Sequence, residues 1–228
     1  MRKLELTLQR DSGPVEYTAN IDSLVIAGWT ARDREDLERH IQELEALGVR
    51  RPSTVPLFYR VSASLLAQEE SIEVVGPDSS GEAEPVVLSL NGEIWVGIGS
   101  DHTDRRLEAL SVPASKQACP KPLGRVVWPL NEVEDHWDKL VLRSYIVGPC
   151  GRELYQEGSL ARLRSAPELI ELYANGAVLA PGTVMFCGTL PVRGTLRGAQ
   201  RFEFELEDPQ LGRTLRHAYQ VTQLPIVS

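Results

Sequence analysis

The run EAEPVVLSLNGEIWVGIGSD, residues 82–101, decides how the chain folds. Two apolar segments flank Asn91-Gly92, a dipeptide suited to a two-residue hairpin turn because both turn positions need positive φ. In that turn Leu90 faces Glu93, and counting outward places Glu82 opposite Asp101. Glu84 lies two residues along the same strand, and therefore on the same face. Opposed Cβ atoms in such a pair stand about 4.5–5.5 Å apart and diagonal ones about 7–8 Å. Carboxylates so close repel one another unless one is protonated or a cation sits among them. Oxygen-only donors suit a hard divalent ion, Mg²⁺ or Mn²⁺. The competing reading is a set of solvated acids at a strand end. Pro85 is the residue in the run that argues for an edge or a bulge, and a bulge would shift the register.

Outward from the hairpin, most of the chain is strand-like. Residues 1–27 suggest two strands around the turn cluster DSGP, with Leu4, Leu6 and Leu8 on one face. SIEVVG, GRVVWPL, DKLVLRSYIV, GRELYQEG, TVMFCGTL, QRFEFELED and RTLRHAYQVTQL have strand character and are punctuated by Gly and Pro. Two segments have helical period. TARDREDLERHIQELEALGV carries the stripe Leu37, Ile41 and Leu44, with a capping box predicted from Thr30 and Asp33 and a C-terminal cap at Gly48. SAPELIELYANG starts with Ser165 as N-cap and Pro167 in its first turn, and ends at Gly176. The balance predicts a β-rich α+β protein. It is read as a single catalytic-type domain over 1–228, with N-terminal strands and a lid-like helix in 1–50 and a β-rich metal-binding core in 51–228.

The formal net charge of −8 over 228 residues argues against nucleic acid or an anionic membrane as a partner, since both demand a basic face. Three widely spaced cysteines, Cys119, Cys150 and Cys187, form no CxxC pair, and so sparse a count suits a reducing cytoplasm. No apolar run approaches the ~20 residues of a membrane span. The glycines form no phosphate-binding or dinucleotide-binding pattern, and GxSxG is missing, so neither nucleotide cofactors nor a serine elbow is expected.

The motifs occur in an order that resembles the fumarylacetoacetate hydrolase superfamily, and within it a bacterial branch of unknown function. GEAE matches its Glu-x-Glu pair, and SDHTDR its strand ending in Asp-x-Thr-x-Arg. LAPGTVMFCGTLP matches its closing block, with Thr183 where Asp is usual. GRELYQEGSLARLRSAPELIE and SKQACPKPLG are similar to the segments between, so the likeness spans roughly residues 27–195. It implies a mixed β-sheet roll with a few peripheral helices, and a metal held by Glu82, Glu84 and Asp101.

It also implies that HIQE supplies a water-activating pair, His40 oriented by Glu43 one helical turn away. Lys116 is implied as a catalytic cation, and Arg105 and Thr189 as substrate contacts. Position 108, often Gln in the family, is Glu108 here, and an acid there would repel an anionic substrate. The implied activity is divalent-metal-dependent cleavage of a carbon–carbon bond in a small, acylpyruvate-like oxo-acid. Decarboxylation or isomerisation by the same metal–enolate chemistry is the alternative, as is a non-catalytic metal- or ligand-binding protein. A homodimer is implied by analogy.

The remaining histidines and thiols are assigned to structure. His102 should point away from its neighbour Asp101 on an extended strand. His136 and His217 have no partner at ligand spacing. Cys187 lies in an apolar run, and Cys119 has no histidine motif to activate it.

Overall fold

The computed structural model describes residues 1–10, 12–46, 48–149 and 151–227, with the side chains at 36, 40, 43 and 44 outside the description. The chain begins with β1 (Arg2–Arg10), β2 (Gly13–Ile21), β3 (Ser23–Gly28), α1 (Arg34–Ala46) and β4 (Leu57–Val61). It continues through β5 (Leu66–Ala67), β6 (Ser71–Val75), β7 (Ser79–Ser80), β8 (Ala83–Leu90), β9 (Glu93–Ser100) and β10 (Thr103–Asp104). Then come α2 (Arg105–Glu108), α3 (Val112–Gln117), β11 (Lys121–Pro122), β12 (Val126–Pro129), β13 (Val141–Gly148) and β14 (Gly151–Ser159). Last are α4 (Ala166–Ala174), β15 (Thr183–Phe186), β16 (Arg201–Asp208) and β17 (Arg213–Leu224).

An eight-stranded mixed sheet runs β2-β1-β12-β9-β8-β15-β3-β4, and a five-stranded sheet runs β14-β13-β16-β17-β6. The hairpin β8–β9 lies at the centre of the larger sheet. Its pairing runs from Leu90↔Glu93 to Ala83↔Ser100 without a shift. Pro85 therefore marks neither an edge nor a bulge; β15 flanks β8 on its other side. Every residue of β8 is buried because both faces of the sheet are covered, which is why the run reads as continuously apolar rather than alternating. Val87, Val96 and Ile98 face a core shared with the five-stranded sheet, through Leu142, Phe202, Phe204 and Tyr219. Val86, Leu88 and Trp95 face a second core, with Leu4, Leu6, Ile26 and Phe186, inside the curl of the larger sheet.

Residues 1–27 form three strands rather than two. The amides of Asp22 and Ser23 both donate to the carbonyl of Gly182 (2.9 and 3.2 Å), and there the chain changes neighbour. β3 then pairs parallel with β15. The capping box at Thr30 also needs correction. Asp33 occupies the cap, its Oδ1 accepting from the amide of Glu35 at 2.8 Å, and α1 starts at Arg34. Thr30 is buried and serves the site described below. The second helix follows expectation, with Ser165 as N-cap, Pro in the first turn and Asn175 in the left-handed conformation before Gly176. On the outer face of the five-stranded sheet opposite charges pair across strands: Arg143 with Glu157 (3.0 Å) and Glu207 (2.5 Å), Arg152 with Glu203 (2.9 Å), Arg216 with Glu205 (3.1 Å). No helix among the described residues is long and apolar enough to cross a membrane.

Two measurements check this packing. Met185 is fully buried and pairs with both Val87 and Val25 in the sheet centre. Met185→Ala should cost about 2–5 kcal/mol in urea unfolding, and a loss near zero would contradict the packing. Burial, then Arg125 and Arg201, lower the His217 pKa to about 4, and burial, then Lys121 and Arg105, lower that of His102 to about 3. The unfolded chain takes up these protons near pH 6.5 while the folded one does not, so stability should fall as pH drops from about 6.5 toward 4. Urea midpoints at pH 7.5 and 5 should show the fall, and His217→Phe should reduce it.

Candidate metal centre

The hairpin register extends one step past its strands. The amide of Asp101 donates to the carbonyl of Glu82 at 2.9 Å, so the two acids face each other as the turn predicts. Glu84 stands opposite Gly99. A Cβ at Gly99 would lie 2.6 Å from the Phe186 ring, so the missing side chain lets that ring pack where a residue opposite Glu84 would otherwise project. One carboxylate oxygen from each of Glu82, Glu84 and Asp101 lies within 4.8 Å of the other two. Asp101 is fully buried and Glu84 nearly so, whereas the Glu82 side chain keeps 16% of its surface exposed.

The C-terminal ends of two parallel strands complete the floor. Beyond β15, the amide of Gly188 donates to Glu84 Oε2 at 2.7 Å, and the amide of Cys187 donates to the carbonyl of Pro85 at 3.0 Å. Gly188 has φ +96°, and a Cβ there would sit 1.8 Å from the Thr30 hydroxyl at the end of β3. Conformation and space both require glycine. The Thr189 hydroxyl donates to the carbonyl of Ala83 (2.8 Å) and accepts from Gln156 Nε2 (2.7 Å). Gln156 Oε1 in turn accepts from the Ala83 amide (3.1 Å) and the Ser144 hydroxyl (2.7 Å). Thr189, placed by resemblance at the substrate, thus ties the start of β8 to β14.

Three cations surround the acids. The side chain of Asp104 accepts from the amide of Leu107 at 2.9 Å and so starts α2, which puts Arg105 beside the site. Arg105 lies 3.1 Å from Glu82 and 2.9 Å from Glu108, and its Nε donates to the Ser80 hydroxyl at 2.8 Å. Glu108 therefore has its charge matched by Arg105 and takes up part of that guanidinium. Ser111 caps α3, whose Lys116 donates to Asp101 Oδ2, lies 4.0 Å from Glu82 and stands 5.8 Å from the Tyr59 ring centroid. Lys121, which sequence reasoning passed over, is fully buried, with Nζ 2.5 Å from the carbonyl of His102 and 3.1 Å from Asp101 Oδ1.

The electrostatics follow from this geometry. Burial would raise the Asp101 pKa, but Lys116 and Lys121 hold it down at about 2. Burial opposes the charge on Lys116 too, yet Asp101, Glu82 and Glu108 push its pKa up. Glu84 has no ion-pair partner among the described residues, and burial, then the charges of Asp101 and Glu82, outweigh Lys116 and raise its pKa well above the carboxylate range. Asp101 Oδ1 is buried, with the Lys121 ammonium 3.1 Å away as its one partner among the described residues. Three carboxylate oxygens within 4.8 Å of one another, one of them on an acid that resists ionising, form an all-oxygen donor set that fits a hard divalent cation.

The side chains of His40 and Glu43 lie outside the described residues; their positions fall on α1. His102 points away from the acids, Nδ1 to the Tyr219 hydroxyl (2.8 Å) and Nε2 to that of Ser79 (2.9 Å). His136 pairs with Asp208 at 3.0 Å. Burial raises the Cys119 pKa to about 11, and burial with Glu84 raises that of Cys187 further, so neither thiol is primed as a nucleophile. Gly188→Ala should force the 187–189 segment away from Thr30 and remove the amide from Glu84. It should lower the melting temperature and weaken Mn²⁺ binding at least tenfold by calorimetry, while wild-type affinity would show that the amide does not hold Glu84.

Solved structures share this architecture at low identity. A fumarylacetoacetate hydrolase family protein from Yersinia pestis CO92 aligns at TM-score 0.67 and 18% identity, over 95% of this chain and 100% of that one. A 2-keto-3-deoxyarabinonate dehydratase aligns at TM-score 0.65 and 21% identity, covering 90% and 75%. A 2-hydroxyhepta-2,4-diene-1,7-dioate isomerase from Mycobacterium marinum aligns at TM-score 0.63 and 13% identity, covering 93% and 79%. No curated protein matches the chain. The fold is thus that of fumarylacetoacetate hydrolase proteins, and, with the model for the protein family of unknown function DUF2848 matching residues 27–219, the chain belongs to that family.

Proposed function

We propose that this protein is a divalent-metal-dependent hydrolase that cleaves a carbon–carbon bond in a small, acylpyruvate-like oxo-acid. The observation that carries the proposal is the convergence of Glu82, Glu84 and Asp101 within 4.8 Å, with Lys116 and Arg105 alongside. Mg²⁺ or Mn²⁺ held by these acids would supply Lewis acidity at a substrate carbonyl. The chain's own groups do the rest. The Lys116 ammonium, beside Asp101, would meet negative charge developing on the substrate oxygens, and Arg105, held by Glu82 and Glu108, would contribute guanidinium donors rather than net charge.

In this reading the His40 imidazole, oriented by Glu43, takes a proton from water as the water oxygen bonds to the carbonyl carbon. The carbon–carbon bond then breaks with its electron pair going to the leaving enolate, and the proton on His40 passes to the enolate carbon. A second reading, an isomerase or decarboxylase of an oxo-acid, uses the same enolate without the hydrolytic water. It is favoured by the names of the dehydratase and isomerase of like fold.

The test is a panel of acylpyruvates and oxaloacetate assayed with Mg²⁺ or Mn²⁺. Glu82→Gln should abolish divalent-ion binding in calorimetry, and unchanged binding would remove the metal centre. His40→Ala should keep the ion but reduce turnover about 10²- to 10⁴-fold. Near wild-type turnover would take His40 out of the reaction. Ion binding without turnover of any panel member would identify a non-catalytic binding protein.

A further inference from the structure

Lys121 is a cation built into the wall behind the metal ligands. Its side chain is fully buried, and Asp101 is the carboxylate it pairs with among the described residues. Its backbone is set between Pro120 and Pro122 and paired with Leu66 in a short parallel ladder. The adjoining amide of Leu123 donates to the carbonyl of Ala67 at 2.8 Å. Nζ donates to the carbonyl of His102 and faces Asp101 Oδ1, while Lys116 takes the other oxygen of the same carboxylate. One aspartate therefore meets two lysine charges, of which Lys121 has no route to solvent.

This changes what the acids offer an entering ion. Arg105 and Glu108 offset each other. Glu82, Glu84 and Asp101 then face Lys116 and Lys121, so the ionised trio presents far less than its formal negative charge. A divalent cation entering alone leaves the buried site with an excess of positive charge, which is costly at short range in a low-dielectric setting. An anionic chelator entering with it removes that excess.

We propose that Lys121 makes divalent-ion binding conditional on an anionic chelating ligand, so that the ion and the carboxylate-bearing substrate bind synergistically. The inference rests on the metal-centre reading above and assigns to Lys121 the role of a positioning charge, acting through Asp101 without touching substrate. By linkage, the ion must tighten the anion by the same factor that the anion tightens the ion.

Calorimetry of Mn²⁺ with the full-length protein, alone and with saturating oxalate, tests this. Oxalate presents adjacent carboxylate oxygens like the head of an oxo-acid, and its own binding of free Mn²⁺ is subtracted. In the wild type, oxalate should tighten Mn²⁺ at least tenfold. Lys121→Gln keeps a donor for the His102 carbonyl but removes the charge. It should bind Mn²⁺ alone at least tenfold more tightly than the wild type and show a smaller oxalate effect. Mn²⁺ affinity in Lys121→Gln equal to or weaker than wild type would overturn the proposal while leaving the metal centre standing. Absence of an oxalate effect in the wild type would overturn it without any variant, should Lys121→Gln not fold. Failure of wild-type protein to bind Mn²⁺ under either condition would instead remove the metal centre, and this inference with it.

Discussion

Asp101 is an aspartate with no solvent contact, gripped at one oxygen by Lys116 and approached at the other by Lys121. Burying a carboxylate costs several kcal/mol unless it is well paired, so this carboxylate can exist only where both lysines arrive. Their arrival depends on α2, α3 and the Pro120–Pro122 segment, all of which follow β9. Asp101 therefore organises the chain downstream of the hairpin as much as it serves the site. The same anchoring separates the acids by character. Asp101 is held ionised, while Glu84, buried beside two other acids and given one amide, is held toward its neutral form. Pairs of acids driven apart in this way are characteristic of functional sites.

The floor of the site joins distant parts of the chain. β8 supplies Glu84, the end of β15 supplies the Gly188 amide, and the end of β3 supplies Thr30, which packs against Gly188. β3 and β15 are parallel neighbours, so their C-terminal ends emerge side by side and point the following loops at the acids. Gln156 fastens the same region from the second sheet, through Ala83 and Thr189. Both sheets thus contribute to holding the start of β8, and the site lies where they meet.

Much of this was legible in the sequence because local rules governed it. Asn91-Gly92 set the register, the register set the face, and the face brought Glu82, Glu84 and Asp101 together. Ser165 and Pro167 likewise marked a helix start that tertiary contacts leave unchanged. The failures occurred where tertiary demand outweighed local pattern. Thr30 has the spacing of a capping box with Asp33, but its side chain is buried against Gly188, and Asp33 occupies the cap. The third N-terminal strand was hidden because Asp22-Ser23 carries no Gly or Pro to mark a break between Ile21 and Leu24; the change of neighbour is fixed by the carbonyl of Gly182, 160 residues from Asp22. Lys121 gave no signal, since a lysine between prolines in a two-residue strand has no periodicity from which burial could be inferred. The role of Gly188 was equally invisible: its φ is a property of the loop, and Thr30 is distant in sequence.

The placement of the hairpin turn has a consequence for how this protein can change over time. Asn91 and Gly92 lie at the far end of strands about eight residues long, roughly 25 Å from the acids they align. Substitutions at the tip that keep positive φ at both positions leave the chemistry untouched. A single-residue insertion or deletion there is different, because strand side chains alternate and a slip of one exchanges the two faces. Glu82 and Glu84 would turn toward the layer between the sheets, and Val87 toward the curl. Lineages carrying this centre should therefore keep the two-residue turn and residues that tolerate positive φ there, as Asn91 (φ 51°) and Gly92 (φ 81°) do.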